Sequence, residues 1–264
     1  MTDSTTVPRS GPAEGIVAGL VRLGLRPGWT LLVHASLSGT GLEAGLLREA
    51  LRAVLGPGGT LVVPAFTPEN SDTSPQYRDL VAGLTPAGTA AVRAGMPAFD
   101  PLHTPCPGMG RLAESVRTAP GAVRSVHPQT SFAAVGRDAE RLMANHPLDS
   151  HLGEESPLGA LWRADAKVLM INVGFDVCTA FHLAEYRTGA PERSYRCVIR
   201  GADGGPEWAE YRDAALDDSD FAAVGASFPW RLKHEGRLGG TFARLFSLRD
   251  AVDHAVQWMT EKRR

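Results

Sequence analysis

The run from Trp29 to Val63 does most to restrict the fold. WTLLVH at 29–34 has the character of a short buried strand. A loop of small residues, Ala35 to Gly41, leads into a helical pattern from about Glu43 to Leu55. Gly56-Pro57-Gly58-Gly59 breaks that helix, and Thr60-Leu61-Val62-Val63 is the next strand. A strand, a helix and a second strand in that order form a crossover, which pairs the strands in parallel. A chain built on such a unit is expected to be α/β, with helices flanking a central sheet.

Later segments extend this pattern. Glu14 to Leu25 has helical periodicity, with Ile16, Val17, Leu20, Val21 and Leu23 apolar. Residues 64–110 are punctuated by proline, and Phe66 to Gln76 is polar and turn-rich. A long irregular segment among regular elements reads as a binding loop. Helices are expected over 108–118, 138–144 and 157–164, and strands over 131–135, 168–173 and 194–200. The charged stretch Glu207 to Asp220 and the Gly-rich Leu238 to Thr241 carry no assigned element, and an amphipathic helix over 248–259 closes the chain. The expected organisation is a loose tail at residues 1–12 followed by one α/β domain at 13–264 with a mostly parallel central sheet.

Composition narrows the function. Among 264 residues, 43% are hydrophobic and the formal net charge is −2, so no global basic footprint for nucleic acid exists. No run approaches the ~20 apolar residues of a membrane span, and the polar start MTDSTTVPRSGP is not a signal peptide. A cytoplasmic enzyme or binding protein, with no nucleic-acid or membrane partner, is expected. The three cysteines Cys106, Cys178 and Cys197 form no CxxC pair, which argues against a disulfide framework or zinc knuckle. His103, His127, His146 and His151 sit in loops without HxH or HExxH spacing, so no metal is expected.

The chemistry concentrates at Val168 to Glu185. A buried-strand run turns at Gly174 into a helix whose His-x-x-Glu spacing puts His182 and Glu185 on one face. His182 is either a base with a carboxylate neighbour or a satisfied core or surface histidine; Thr179 and Asn172 are candidates to set its tautomer. Cys178, four residues earlier, is either a nucleophile paired with His182 or a small buried residue. The loop Ser36-Leu37-Ser38-Gly39-Thr40 leaves backbone amides before a helix, which suits an anion site or a plain strand-to-helix turn. Glu69 and Asp72 are either ligand carboxylates for a cationic, hydroxyl-rich compound or Asx-turn formers.

Several ordered motifs resemble the aminoglycoside N3-acetyltransferase, or antibiotic N-acetyltransferase, family. They are LLVHASLSGTG at 31–41, GGTLVVPAFT at 58–67, ENSDTS at 69–74, FDPLHTPCPGMGRLAE at 99–114, HPQTSFAAVG at 127–136, ESPLGALW at 155–162 and VGFDVCTAFHLAEYR at 173–187. The match spans roughly residues 15–200, and residues 201–264 match less clearly. The resemblance implies an antibiotic N-acetyltransferase-like α/β fold distinct from the GNAT acetyltransferases. It also implies transfer of acetyl from acetyl-CoA, the co-substrate, to the 3-amino group of a 2-deoxystreptamine ring, and so aminoglycoside resistance. The family's catalytic histidine falls on His182. Glu185 then orients it or binds a substrate ammonium, or else Glu155 is the orienting carboxylate. Ser36, Leu37, Ser38, Gly39, Thr40, Ser156 and Thr179 are expected to hold acetyl-CoA and its oxyanion, and Glu69, Asp72, Glu155 and Glu185 the aminoglycoside. A homodimer is left open, as is another small amine as the acceptor.

Overall fold

In the computed structural model, which describes residues 12–263, helix α1 (Pro12–Arg22) leads into strand β1 (Thr30–Ala35). Of the expected tail at 1–12, residues 1–11 lie outside the described residues and Pro12 already heads α1. The crossover is present. Helix α2 (Ala44–Leu55) connects β1 to β2 (Thr60–Pro64), and Thr30, Leu31 and Leu32 pair in parallel with Thr60, Leu61 and Val62. Glu43 caps α2 by accepting from the amides of Gly45 and Leu46. Gly56 ends the helix at φ 65°, a backbone conformation that favours glycine.

Residues 64–110 are not one irregular loop. Ser74 and Thr85 each cap a short helix with proline just inside it, α3 (Pro75–Val81) and α4 (Pro86–Gly95). The chain continues through α5 (Gly110–Arg117), β3 (Val123–Arg124), β4 (Phe132–Gly136), α6 (Ala139–Met143), α7 (Pro157–Arg163), β5 (Lys167–Ile171) and α8 (Ala180–Arg187). Then come β6 (Glu192–Arg200), β7 (Pro206–Ala214), α9 (Phe221–Ser227), β8 (Lys233–Leu238), β9 (Thr241–Ser247) and α10 (Leu248–Lys262).

The main sheet has the order β3-β4-β2-β1-β5-β9-β8. Its α/β class is as expected, but the sheet is mixed rather than mostly parallel. β2, β1 and β5 run parallel at the centre, while β4 and β3 on one side and β9 and β8 on the other are antiparallel. The unassigned Gly239-Gly240 is the cause on one side. It joins β8 to β9 in a two-residue hairpin turn, with Gly239 at φ 61°. Strand β8 itself, Lys-His-Glu-Gly-Arg-Leu, is a largely polar edge strand without the apolar alternation that announces a strand. The charged stretch 207–220 supplies all but the first residue of β7, which pairs with β6 as a separate two-stranded ribbon.

Alternation along the central strands splits the core onto both sheet faces. Leu32, Val62, Val168 and Met170 join Phe181 and Leu248 on one face, and Leu31, Val33, Leu61 and Leu169 join Leu47 and Leu51 on the other. Covered faces explain why these strands are continuously apolar. Among the described residues, no helix is long and apolar enough to cross a membrane.

Candidate active site

The carboxyl ends of β1, β2 and β5 open into a cavity of about 630 Å³. Ligands of open parallel sheets occupy this kind of position, beyond the strand ends. His34 to Ser38 line it from the end of β1 and the loop after it, Val63, Pro64 and Phe66 from the end of β2 and the turn beyond, and Asp176, Val177, Thr179 and His182 from the segment after β5. Met109, Arg111 and Leu112 approach from around α5, and Asp218 and Phe221 from the start of α9. Asn172, the residue after β5, sits at φ 54°, and its Nδ2 donates to the carbonyls of Ser36 (3.1 Å) and Ser38 (3.3 Å). It therefore ties the two strand-end loops together rather than setting the tautomer of His182.

His182 and Glu185 are joined as their spacing implies. His182 Nδ1 lies 2.6 Å from Glu185 Oε2. Glu185 is fully buried, and its other oxygen accepts from the Asp217 amide (2.9 Å) and from Arg263 Nη1 (2.6 Å). An ionised carboxylate only accepts, so Nδ1 donates and the neutral imidazole keeps its lone pair on Nε2. Nε2 has no hydrogen-bond partner among the described residues. The imidazole packs against Phe221 at 4.7 Å between ring centres and lines the cavity. This arrangement can take a proton from a group bound in the cavity and return it to another.

Two features of the Ser36–Gly41 loop differ from expectation. The Ser36 amide is spent on the Ile171 carbonyl (3.0 Å), which leaves the amides of Leu37, Ser38 and Gly39 without a partner among the described residues. Thr40 secures the turn, its Oγ1 donating to the Leu37 carbonyl and accepting from the Leu42 amide. Neither Gly39 nor Thr40 lines this cavity.

Other expected site residues have structural duties. Ser156 is buried and caps α7, accepting from the Leu158 amide and donating to the Gly153 carbonyl, away from the cavity. Glu155 is exposed and accepts from Asn145, so it does not orient His182. Glu69 is exposed on a turn outside the cavity lining. Asp72 is pinned between Arg93 and Arg196 and is neutralised by them. Glu185 is fully buried behind His182 and does not line the cavity, which places it out of reach of a substrate ammonium there. Cys178 is buried, and burial pushes its thiol up to about 12, which removes the thiolate a nucleophile needs.

Four ionisable lining residues, Asp176, Asp218, Arg111 and His34, had no role assigned from sequence. Asp176 and Asp218 are exposed carboxylates with no ion-pair partner among the described residues. Arg111 is a cation in the wall, donating to the Leu37 carbonyl. His34 is 7% exposed, and its Nε2 has no partner among the described residues. Burial first, and the nearby charge of His182 second, hold His34 at about 4, so it is neutral near pH 7. Its signal was present in the first motif, but a histidine inside an apolar strand looks the same whether it serves a site or the core.

Three of the four loop histidines, His127, His146 and His151, form a second buried cluster, whereas His103 is exposed beside Asp100. His151 Nδ1 lies 2.7 Å from Asp213, and its Nε2 lies 2.8 Å from Gln129 Oε1. His146 bridges the Ser125 hydroxyl and the His151 carbonyl, and His127 accepts from the amides of Gln129 and Thr130. Their nitrogens are occupied by hydrogen bonds rather than left for a metal. Burial is the largest cause in each case; it lowers His151, holds His127 well below its ordinary range and His146 at about 3. Unfolded histidines titrate near 6.5, so below that pH the unfolded chain binds more protons than the folded one and stability falls as pH falls. Acidification from pH 7 to 5.5 is expected to cost on the order of 3 kcal/mol, roughly 1 for each of His34, His127 and His146, with His151 contributing in the same direction. Urea midpoints across that range measure it, and a flat profile would contradict neutral burial of the cluster.

A family model for aminoglycoside 3-N-acetyltransferase matches residues 32–260. The SPbeta prophage-derived aminoglycoside N(3')-acetyltransferase-like protein YokD of Bacillus subtilis (strain 168) is 37% identical to this chain, over 98% of this chain and 95% of its own. The YokD crystal structure superimposes with a TM-score of 0.89 at 35% identity, covering 99% of this chain and 97% of its own. Aminoglycoside N(3)-acetyltransferase VIII of Streptomyces fradiae is 34% identical over 94% and 91% of the two chains. AAC-IIIb, solved as a binary complex with CoASH, has a TM-score of 0.82 at 29% identity and covers 95% and 96%. Fold and likeness together define an acyltransferase. The chain belongs to the aminoglycoside 3-N-acetyltransferase family.

Proposed function

We propose that the protein transfers the acetyl group of acetyl-CoA directly to an amine, in the family's manner the 3-amino group of an aminoglycoside 2-deoxystreptamine ring, and so confers resistance. The observation that carries this is a histidine at the cavity wall, backed by a buried carboxylate, with Nε2 left unengaged. An amine attacks a thioester only as the free base. Nε2 of His182 accepts the ammonium proton as the new C–N bond forms, the C–S bond breaks, and the CoA thiolate takes that proton. Glu185 stabilises the intervening imidazolium. The unpartnered amides of Leu37 and Ser38 are the oxyanion donors, with Thr179 beside them. Ser36 to Ser38 border the place of the acetyl-pantetheine end. The CoASH complex of AAC-IIIb supports the co-substrate. Asp176 and Asp218 face the amino substrate, since cations bind to carboxylates that are not already paired.

One observation favours a second acceptor class, another small amine. The cavity holds two unpaired carboxylates, a cation at Arg111, and apolar walls at Phe66, Met109, Leu112 and Phe221. That is few anionic groups for a polycation. Release of CoA thiol from acetyl-CoA is the test, with kanamycin, gentamicin and neomycin and with no acceptor. Aminoglycoside-dependent release is expected. A folded protein that binds CoA and releases none with any of the three would transfer the assignment to the other amines.

A further inference from the structure

We propose that Arg263 is a positioning residue for the His182–Glu185 pair. The inference rests on the reading of His182 as the base. A fully buried carboxylate is costly unless its charge is balanced and its lone pairs are filled. Glu185 meets both demands from outside its own helix. Its Oε2 serves His182, while Oε1 takes the Asp217 amide and, at 2.6 Å, Arg263 Nη1.

Arg263 is in turn held on three sides. Its Nε and Nη2 fork onto the two oxygens of Asp220 at 2.7 and 2.5 Å, and Nη2 also donates to the Asp217 carbonyl at 2.6 Å. Its own amide donates to the Met259 carbonyl, which anchors it to the last turn of α10. α10 packs against α8. A planar guanidinium with a bidentate partner has little rotational freedom. The Glu185 carboxylate therefore has one orientation, and that orientation keeps Nδ1 of His182 as the donor and Nε2 as the acceptor. The loop 217–220 serves both the Glu185 clamp and, through Asp218, the cavity wall.

The test measures kcat and KM for acetyl-CoA in Arg263→Ala, Arg263→Lys, Asp220→Asn, Glu185→Gln, the Glu185→Gln/Arg263→Ala double variant and His182→Ala, using an acceptor that gives turnover. Circular dichroism checks the fold of each. Partners that orient a functional side chain typically contribute about 10–100-fold. Arg263→Ala is expected to lose kcat in that range with KM for acetyl-CoA within about twofold. Arg263→Lys recovers part of the loss, and added guanidinium ion rescues Arg263→Ala. On the Glu185→Gln background the alanine change costs nothing further, because the route through Glu185 is already cut. Wild-type kcat in folded Arg263→Ala, or an equal loss on both backgrounds, overturns the proposal. If Arg263→Ala does not fold, Asp220→Asn decides: a drop in kcat at constant KM supports the clamp, and wild-type kcat overturns it. Substantial turnover by His182→Ala would instead remove the underlying reading, and so the two failures are separable.

Discussion

His182→Ala is expected to abolish most turnover, lowering kcat by ~10²–10⁴-fold, the usual cost of losing a general base. The fold and CoA binding should survive. His182 is on the wall of the cavity rather than inside a core cluster, and Glu185, the one hydrogen-bond partner of its side chain among the described residues, keeps the Asp217 amide and Arg263. The loss should therefore fall on kcat, with KM for acetyl-CoA little changed. Steady-state kinetics with a responsive acceptor, alongside isothermal titration with CoA, make the measurement. Retention of more than about a tenth of kcat would take the base role from His182. His34 is then the neighbouring imidazole to test, although burial holds it at about 4.

Asp213→Ala should produce the largest loss of stability, about 3–5 kcal/mol, because it leaves several buried donors of His151 and Tyr186 without an acceptor, at about 1–3 kcal/mol each. The carboxylate of Asp213 is 5% exposed as a residue and accepts from the His151 amide and Nδ1, both at 2.7 Å, and from the Tyr186 hydroxyl at 2.6 Å. Burial alone would raise its pKa; the hydrogen bonds from His151 and Tyr186 outweigh burial and lower it. Three elements meet at this one side chain: β7, the loop before α7, and α8. Removing it strands donors of His151 and Tyr186 in the interior. Urea denaturation compares the variant with the parent protein, and a loss under about 1 kcal/mol would show that the cluster does not hold the ribbon to the core.

The parts of this protein that were legible in its sequence are those set by neighbours in the chain. The crossover between Trp29 and Val63 could be read because its apolar runs, glycine break and loop lie within about forty residues, and the structure has it in register. The His182–Glu185 pair could be read because three residues along a helix is a fixed geometry. The ordered motifs disclosed the family for the same reason: each is a local string in a fixed order.

What tertiary structure decided was which carboxylates are free. Glu69, Asp72, Glu155 and Glu185 had suitable chemistry in the sequence, but the fold spends or displaces them, and it brings Asp176 and Asp218 to the cavity instead. The direction of the outer strands was likewise settled by pairing. β9 beside β5 and β4 beside β2 run against the central crossover, and no local pattern states which neighbour a strand will find. Arg263 reaches Glu185 across 78 positions. Such a contact depends on how α10 docks on α8. Local propensity and periodicity describe how a segment folds upon itself, whereas ion pairing, burial and strand partnership depend on which distant segment arrives beside it.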